Sequence, residues 1–215
     1  MRVFTAFIAA FLAAAAGGML TAVTAPANAQ TTSTTPIFPN AEPDPGEALK
    51  GDALLAALKQ GGYVLYFRHT ATDFSQNDAN MKGFDDCANQ RALSDEGRGQ
   101  ARAIGAAIRA LALPVGSVQA SPYCRTMETA KLIFGKAAGN AAVRGDGGNY
   151  NALGTLLAQA APKGTNRAIV GHGNGMRALA GLPHLAEGEA VVIKPGKKGP
   201  VIVARVRAEE WAGFR

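Results

Sequence analysis

Apolar residues follow two rhythms along this chain. From Tyr63 to Phe67, and again in RAIVGH at 167–172, they run almost unbroken for the length of a strand, which predicts strands buried on both faces. Elsewhere they recur three and four residues apart. Leu54, Leu55 and Leu58 predict a short amphipathic helix within 47–60, stopped by Gly61-Gly62. Ala101, Ile104, Ile108 and Leu111 predict a longer helix, opened by Ser94 as N-cap with Asp95 and Glu96 in its first turn. SVQAS at 117–121 predicts a short strand closed by Pro122. Helices are expected over 125–134, 151–160 and 174–180. Near the end, EAVVIKP and VIVARVR flank GKKG and read as a hairpin. Strands alternating with helices predict an α/β fold: a three-layer α/β/α sandwich around a mostly parallel central sheet, with a C-terminal hairpin.

The N-terminus stands apart. Arg2 precedes an uncharged, Ala-rich run from Val3 to Val23, and Ala27-Asn28-Ala29 forms an A-x-A site. This is the pattern of a secretory signal peptide over 1–29. An uncleaved anchor is the rival reading, but Ala and Gly insert weakly and the cleavage site is well placed. No Cys follows the apolar run, so a lipid anchor is not expected. Residues 30–46, QTTSTTPIFPNAEPDPG, read as a flexible Thr/Pro-rich tether. Residues 47–215 read as one domain. The expected location is periplasmic or secreted, with no stable membrane insertion after cleavage.

Charge and cysteine content refine this. The formal net charge is +6, which suits anionic small molecules, envelope phosphates or nucleic acid. The basic residues are dispersed, without aromatic interleaving, so no nucleic-acid partner is expected. Two cysteines in an exported chain suit one bridge, Cys87–Cys124; two buried thiols are the alternative.

Three predicted strands end in polar groups suited to an anion. VLYFRHT ends in Arg68-His69, SPYCRT places Arg125 at a helix start, and VGHGNG gives His172 between two glycines before another helix. In α/β sheets ligands bind beyond the carboxyl ends of the strands, where helix N-termini offer free N–H groups. Neither a P-loop, a dinucleotide fingerprint, a nucleophile elbow nor metal-ligand spacing is present, and no cofactor is expected. The residue six beyond Cys124 is Ala130, which removes a cysteine-phosphatase loop. His184 carries no motif and reads as structural.

FRHTAT, LSDEGRGQA, SPYCRTMETA and VGHGNGM, in this order, resemble the motifs of the histidine phosphatase superfamily, whose fold is phosphoglycerate-mutase-like. The resemblance covers roughly 60–195. It departs at Thr70 and Ala71, where the family's Arg-His continues Gly-Glu. It implies a phosphate clamp of Arg68, Arg125 and His172, and His69 as the nucleophile that forms a phosphohistidine. The implied function is an exported phosphomonoesterase acting on a small phosphate ester, a phosphosugar or an envelope-associated phosphate. A phosphoprotein (phosphohistidine) phosphatase and a non-catalytic anion-binding envelope protein are the alternatives. An alkoxide leaving group needs a positioned acid. The family's acid commonly follows the second arginine motif, where this chain offers Asp146 in RGDGGNY, also readable as a solvated turn residue. Asp73 and Glu189 are the next candidates, and Glu128 is expected to orient Arg125.

Overall fold

A computed structural model of the chain describes residues 37–38 and 46–214. The expected signal peptide and most of the expected tether lie outside the described residues. Six strands form one sheet: β1 (Val64–Arg68), β2 (Val115–Ala120), β3 (Ala138–Gly139), β4 (Asn166–Gly171), β5 (Ala190–Lys194) and β6 (Val201–Val206). Their order is β3-β2-β4-β1-β5-β6. The first four run parallel, β5 runs against β1, and β6 runs against β5. The expected α/β class and terminal hairpin are both present.

The alternation of side chains along a strand divides the core in two. In β1, Leu65 and Phe67 join a cluster with α1 (Gly51–Gln60), α2 (Asp95–Ala110) and α3 (Cys124–Phe134). Trp211, from a 3-10 turn over 208–213, stacks on Phe67 with ring centroids 5.7 Å apart. Val64 and Tyr66 join a second cluster with α4 (Ala141–Arg144), α5 (Asn151–Ala158) and α6 (Gly173–Ala180). Helices thus cover both faces of the sheet. Among the described residues, no helix is long and apolar enough to cross a membrane.

Several boundaries differ from the sequence reading, for physical reasons. The first helix starts at Gly51 rather than near Glu47, because Leu49 donates its backbone N–H to Val203 O at 2.8 Å and keeps the preceding residues extended beside β6. Ile37 and Phe38, inside the stretch expected to be a flexible tether, are docked. Both donate their N–H groups to Leu179 O, at 3.1 and 3.4 Å, and Phe38 is buried in the second core. The short elements β3 and α4 were not expected, since AAGNAAVR has no clear apolar period; Asn140 caps α4 by accepting from Ala142 N at 3.0 Å.

Helix α2 has the predicted cap. Ser94 Oγ accepts from Gly97 N at 3.0 Å. A Cβ on Gly97 would collide with the Ala71 backbone. The missing side chain lets α2 lie directly on the segment that follows His69.

Candidate active site

The three expected strand ends are neighbours in the sheet. Arg68 pairs in register with Gly171, and Ala120 with Val170. The ladder continues one step further: His69 N donates to Gly171 O at 3.0 Å, and Ser121 N to Val170 O at 2.9 Å. Backbone pairing therefore delivers His69, Ser121 and His172 to one rim. The two imidazole centroids are 5.6 Å apart.

His69 is buried, 2% exposed. Its Nδ1 lies 2.9 Å from Thr70 O. A carbonyl only accepts, so Nδ1 carries the proton and Nε2 keeps its lone pair. Burial, and beyond it His172, Arg125 and Arg68, lower the pKa of His69 to about 3 against a weaker raising effect of the Thr70 carbonyl. The imidazole is neutral at pH 7. Thr70 has a structural role: its N–H and hydroxyl both meet Thr129 Oγ1, at 3.3 and 3.2 Å, and Thr129 donates to Arg125 O at 2.7 Å. This ties the loop after β1 to α3.

His172 is the N-cap residue of α6. Its Nε2 lies 2.9 Å from Ser121 Oγ, and its ring meets Tyr123 edge-on. Burial first, then Arg125, Arg68 and Arg91, hold its pKa down to about 3. Arg125 is 6% exposed; its Nη1 donates to Asp78 Oδ1 at 3.0 Å, and the guanidinium stacks over Tyr123 at 4.4 Å. Arg68 donates to Leu185 O and, at 3.4 Å, to Glu187 Oε1.

These groups line a cavity of ≈ 290 Å³. The four residues expected to form the phosphate site all line it, and none of the lining residues is Asp or Glu. None of the candidate acids lines it, although Gly145, Gly147 and Gly148, on either side of Asp146, do. Asp146 opens a tight turn, with reciprocal backbone bonds to Asn149 at 2.9 and 2.7 Å and both intervening glycines at positive φ. Its side chain is 95% exposed and lies 3.6 Å from Arg144. Asp73 accepts from Ser75 in an exposed turn. Glu189 is buried but held by Arg205 Nε and Ala186 N, both at 2.7 Å. Glu128 is taken by Arg98 at 2.7 Å, so Asp78 rather than Glu128 orients Arg125.

Sequence reasoning missed several contributors. Arg91 and Arg144 line the cavity, yet neither sits at a predicted strand end. His184 lines it too, bridging Asn174 Oδ1 at 2.8 Å and Arg68 Nη1 at 3.5 Å, and is not simply structural. Glu187 accepts from Thr72 Oγ1 at 2.8 Å and lies 3.8 Å from His69 Nδ1. Only Ser121 had a signal, as the first residue of SPYCRT. The expected bridge is formed: Cys87 and Cys124 are disulfide-bonded. Among the described residues, no group of three His, Cys, Asp or Glu is placed to hold a metal ion.

Comparison with known proteins agrees with the motifs. The family model of the histidine phosphatase superfamily (branch 1) matches residues 64–145, from β1 through α4. The structure of the protein histidine phosphatase SixA complexed with tungstate is 12% identical, with a TM-score of 0.51, and the match covers 69% of this chain and 98% of that one. A phosphoserine phosphatase from Entamoeba histolytica in complex with phosphoserine is 11% identical, covering 68% of this chain and 98% of that one at a TM-score of 0.49. A mycobacterial glucosyl-3-phosphoglycerate phosphatase with inorganic phosphate is 17% identical, covering 69% and 99% at 0.46. A search of curated proteins finds no match.

Proposed function

We propose that this chain, matched by the histidine phosphatase superfamily model over β1 to α4, is a phosphatase working through a phosphohistidine on His69. The observation that carries this reading is the fixed tautomer of a buried, neutral His69, whose Nε2 lone pair is free while Nδ1 is held by Thr70 O. In the first step Nε2 attacks phosphorus in line, the N–P bond forms, and the bond to the leaving group breaks with its electron pair on that group. Arg68 and Arg125 offer planar forks to the equatorial oxygens, and His172 a further contact. In the second step water attacks phosphorus, the P–N bond breaks, and orthophosphate leaves. A purely anion-binding role has no use for a neutral imidazole fixed in this way.

The substrate is a small phosphate monoester. The cavity lies near the lower end of the about 300–1,000 Å³ usual for small-molecule sites. A second reading rests on the missing carboxyl. With no Asp or Glu lining the cavity, leaving groups that depart without a positioned acid are favoured, which brings in a phosphoramidate such as phosphohistidine. The leader-like N-terminus and the Cys87–Cys124 bridge together support an exported protein in an oxidising compartment.

The test uses phenyl phosphate, a sugar phosphate and a phosphohistidine peptide. Rapid quenching with labelled phenyl phosphate is expected to place an acid-labile, base-stable label on His69, and His69→Ala to remove turnover. Label on another residue, or turnover surviving in His69→Ala, rejects the mechanism. Preference for the peptide over both esters would select the second reading.

A further inference from the structure

The phosphate clamp needs two arginines, but four line the cavity. Arg91 comes from the segment between β1 and α2, and Arg144 from the end of α4. The Nε atoms of Arg68, Arg91, Arg125 and Arg144 are all buried without a hydrogen-bond partner. Buried donors are rarely left so, and gathering like charges around one cavity is unfavourable unless an anion occupies it.

The counter-charges do not balance the four. Arg68 has Glu187 and Arg125 has Asp78. Among the described residues, the carboxylate that Arg144 meets is the solvent-exposed Asp146, at 3.6 Å. Among the described residues, the Arg91 guanidinium meets no carboxylate; it lies over the Phe74 ring at 4.9 Å. Arg144 lies over the Phe84 ring at 5.4 Å. Each extra guanidinium is thus steadied through its face, which leaves its N–H edges for a ligand. Asp78 Oδ1 also accepts from the backbone N–H of Arg91 at 2.9 Å, so the carboxylate that holds Arg125 fixes the Arg91 backbone as well. The cavity exceeds what a phosphoryl group alone would fill.

We propose that the cavity takes substrates bearing two anionic groups: the phosphoryl group presented to His69, and a second carboxylate or phosphate held by Arg91 and Arg144. This rests on the phosphatase reading and narrows its substrate class to small phosphate esters with an acidic leaving group. A neutral sugar phosphate would leave these two arginines unanswered.

Three non-hydrolysable probes test it by calorimetry on the intact protein: methylphosphonate, phosphonoacetate and methylenediphosphonate. The first has one anionic group, and the others add a carboxylate or a second phosphonate. The dianionic probes are expected to bind on the order of 10-fold tighter or more, and the larger gain of the two identifies the second group. In Arg91→Gln/Arg144→Gln that gain should be lost, while Arg91→Lys/Arg144→Lys should keep part of it, separating loss of charge from loss of fold. Equal affinity for all three probes, or a gain that survives the double Gln variant, would overturn the subsite. No turnover of phenyl phosphate, with the dianionic preference intact, would instead remove the catalytic reading and leave the subsite standing.

Discussion

The Tyr66 hydroxyl and the His172 backbone are joined twice: the hydroxyl donates to His172 O at 2.7 Å and accepts from His172 N at 3.0 Å. Tyr66 is fully buried in β1, and burial raises its pKa well above the ordinary tyrosine value. One phenol therefore satisfies both backbone polar groups of the second histidine. Tyr66→Phe removes both bonds and is expected to cost about 1–3 kcal/mol. Because His172 then loses its anchor, kcat should fall on the order of 10–100-fold. Denaturant melts and steady-state kinetics check this; unchanged values in both would show that the β4–α6 backbone holds itself.

Acid should destabilise the ligand-free protein through its two buried histidines. Both have pKa values near 3 when folded, against about 6.5 when unfolded. Between these values the unfolded chain binds more protons, so stability is full above about pH 6.5 and declines as pH falls toward 3. Replacing His69 with Asn should flatten the slope in that window. For catalysis, protonation of His69 should place no acid limb on kcat/KM between pH 7 and 5. A limb near 6.5 that disappears when the substrate's own phosphate titration is allowed for would not count against this; one that persists would.

The Cys87–Cys124 bridge joins residues 37 apart in sequence and stands beside Arg125. Removing it is expected to cost about 2–4 kcal/mol. Cys124 N also donates to Gln90 Oε1 at 2.9 Å, and Asp78 reaches Arg125 from the same segment. Cys87→Ser/Cys124→Ser should therefore lower Tm and raise KM more than it lowers kcat, since the loosened segment positions the Arg125 guanidinium of the proposed phosphate clamp. Equal Tm with and without reductant would show the bridge to be idle.

Asp146→Asn should change turnover of aryl and sugar phosphates by the same small factor. An acid at that position would instead depress the sugar phosphate alone by on the order of 10²–10⁴-fold. The exposed turn geometry of Asp146 favours the first outcome. A selective loss on the sugar phosphate would mean that the Gly147-Gly148 turn folds over the cavity during turnover.

What was legible in the sequence was local. Phe67-Arg68-His69 ends an apolar run, and Val170-Gly171-His172 ends another, so the sequence alone places both histidines at strand ends. Ser94 announced its own helix. What escaped was made by contacts between distant segments. Tyr66 reads as one more apolar strand residue, and its partner lies 106 positions away. Glu187 meets Thr72 across 115 positions, and Asp78 meets Arg125 across 47. Arg91 and Arg144 sit in polar segments where an arginine is ordinary. Asp146 is the one carboxyl in the sequence between two predicted helices, but the Gly-Gly turn beside it fixes the backbone so that the side chain faces solvent.

Ile37 and Phe38 shift the practical boundary of the folded unit. A chain trimmed back to Glu47 would keep every helix and strand of the described residues, yet uncover the apolar side of α6 around Leu179 where Phe38 sits. That helix starts at Gly173, with His172 as its N-cap. A protease cutting between Phe38 and Gly46 would therefore act at a distance on the site: it would free the cover of the helix that carries the second histidine, without touching any residue that lines the cavity.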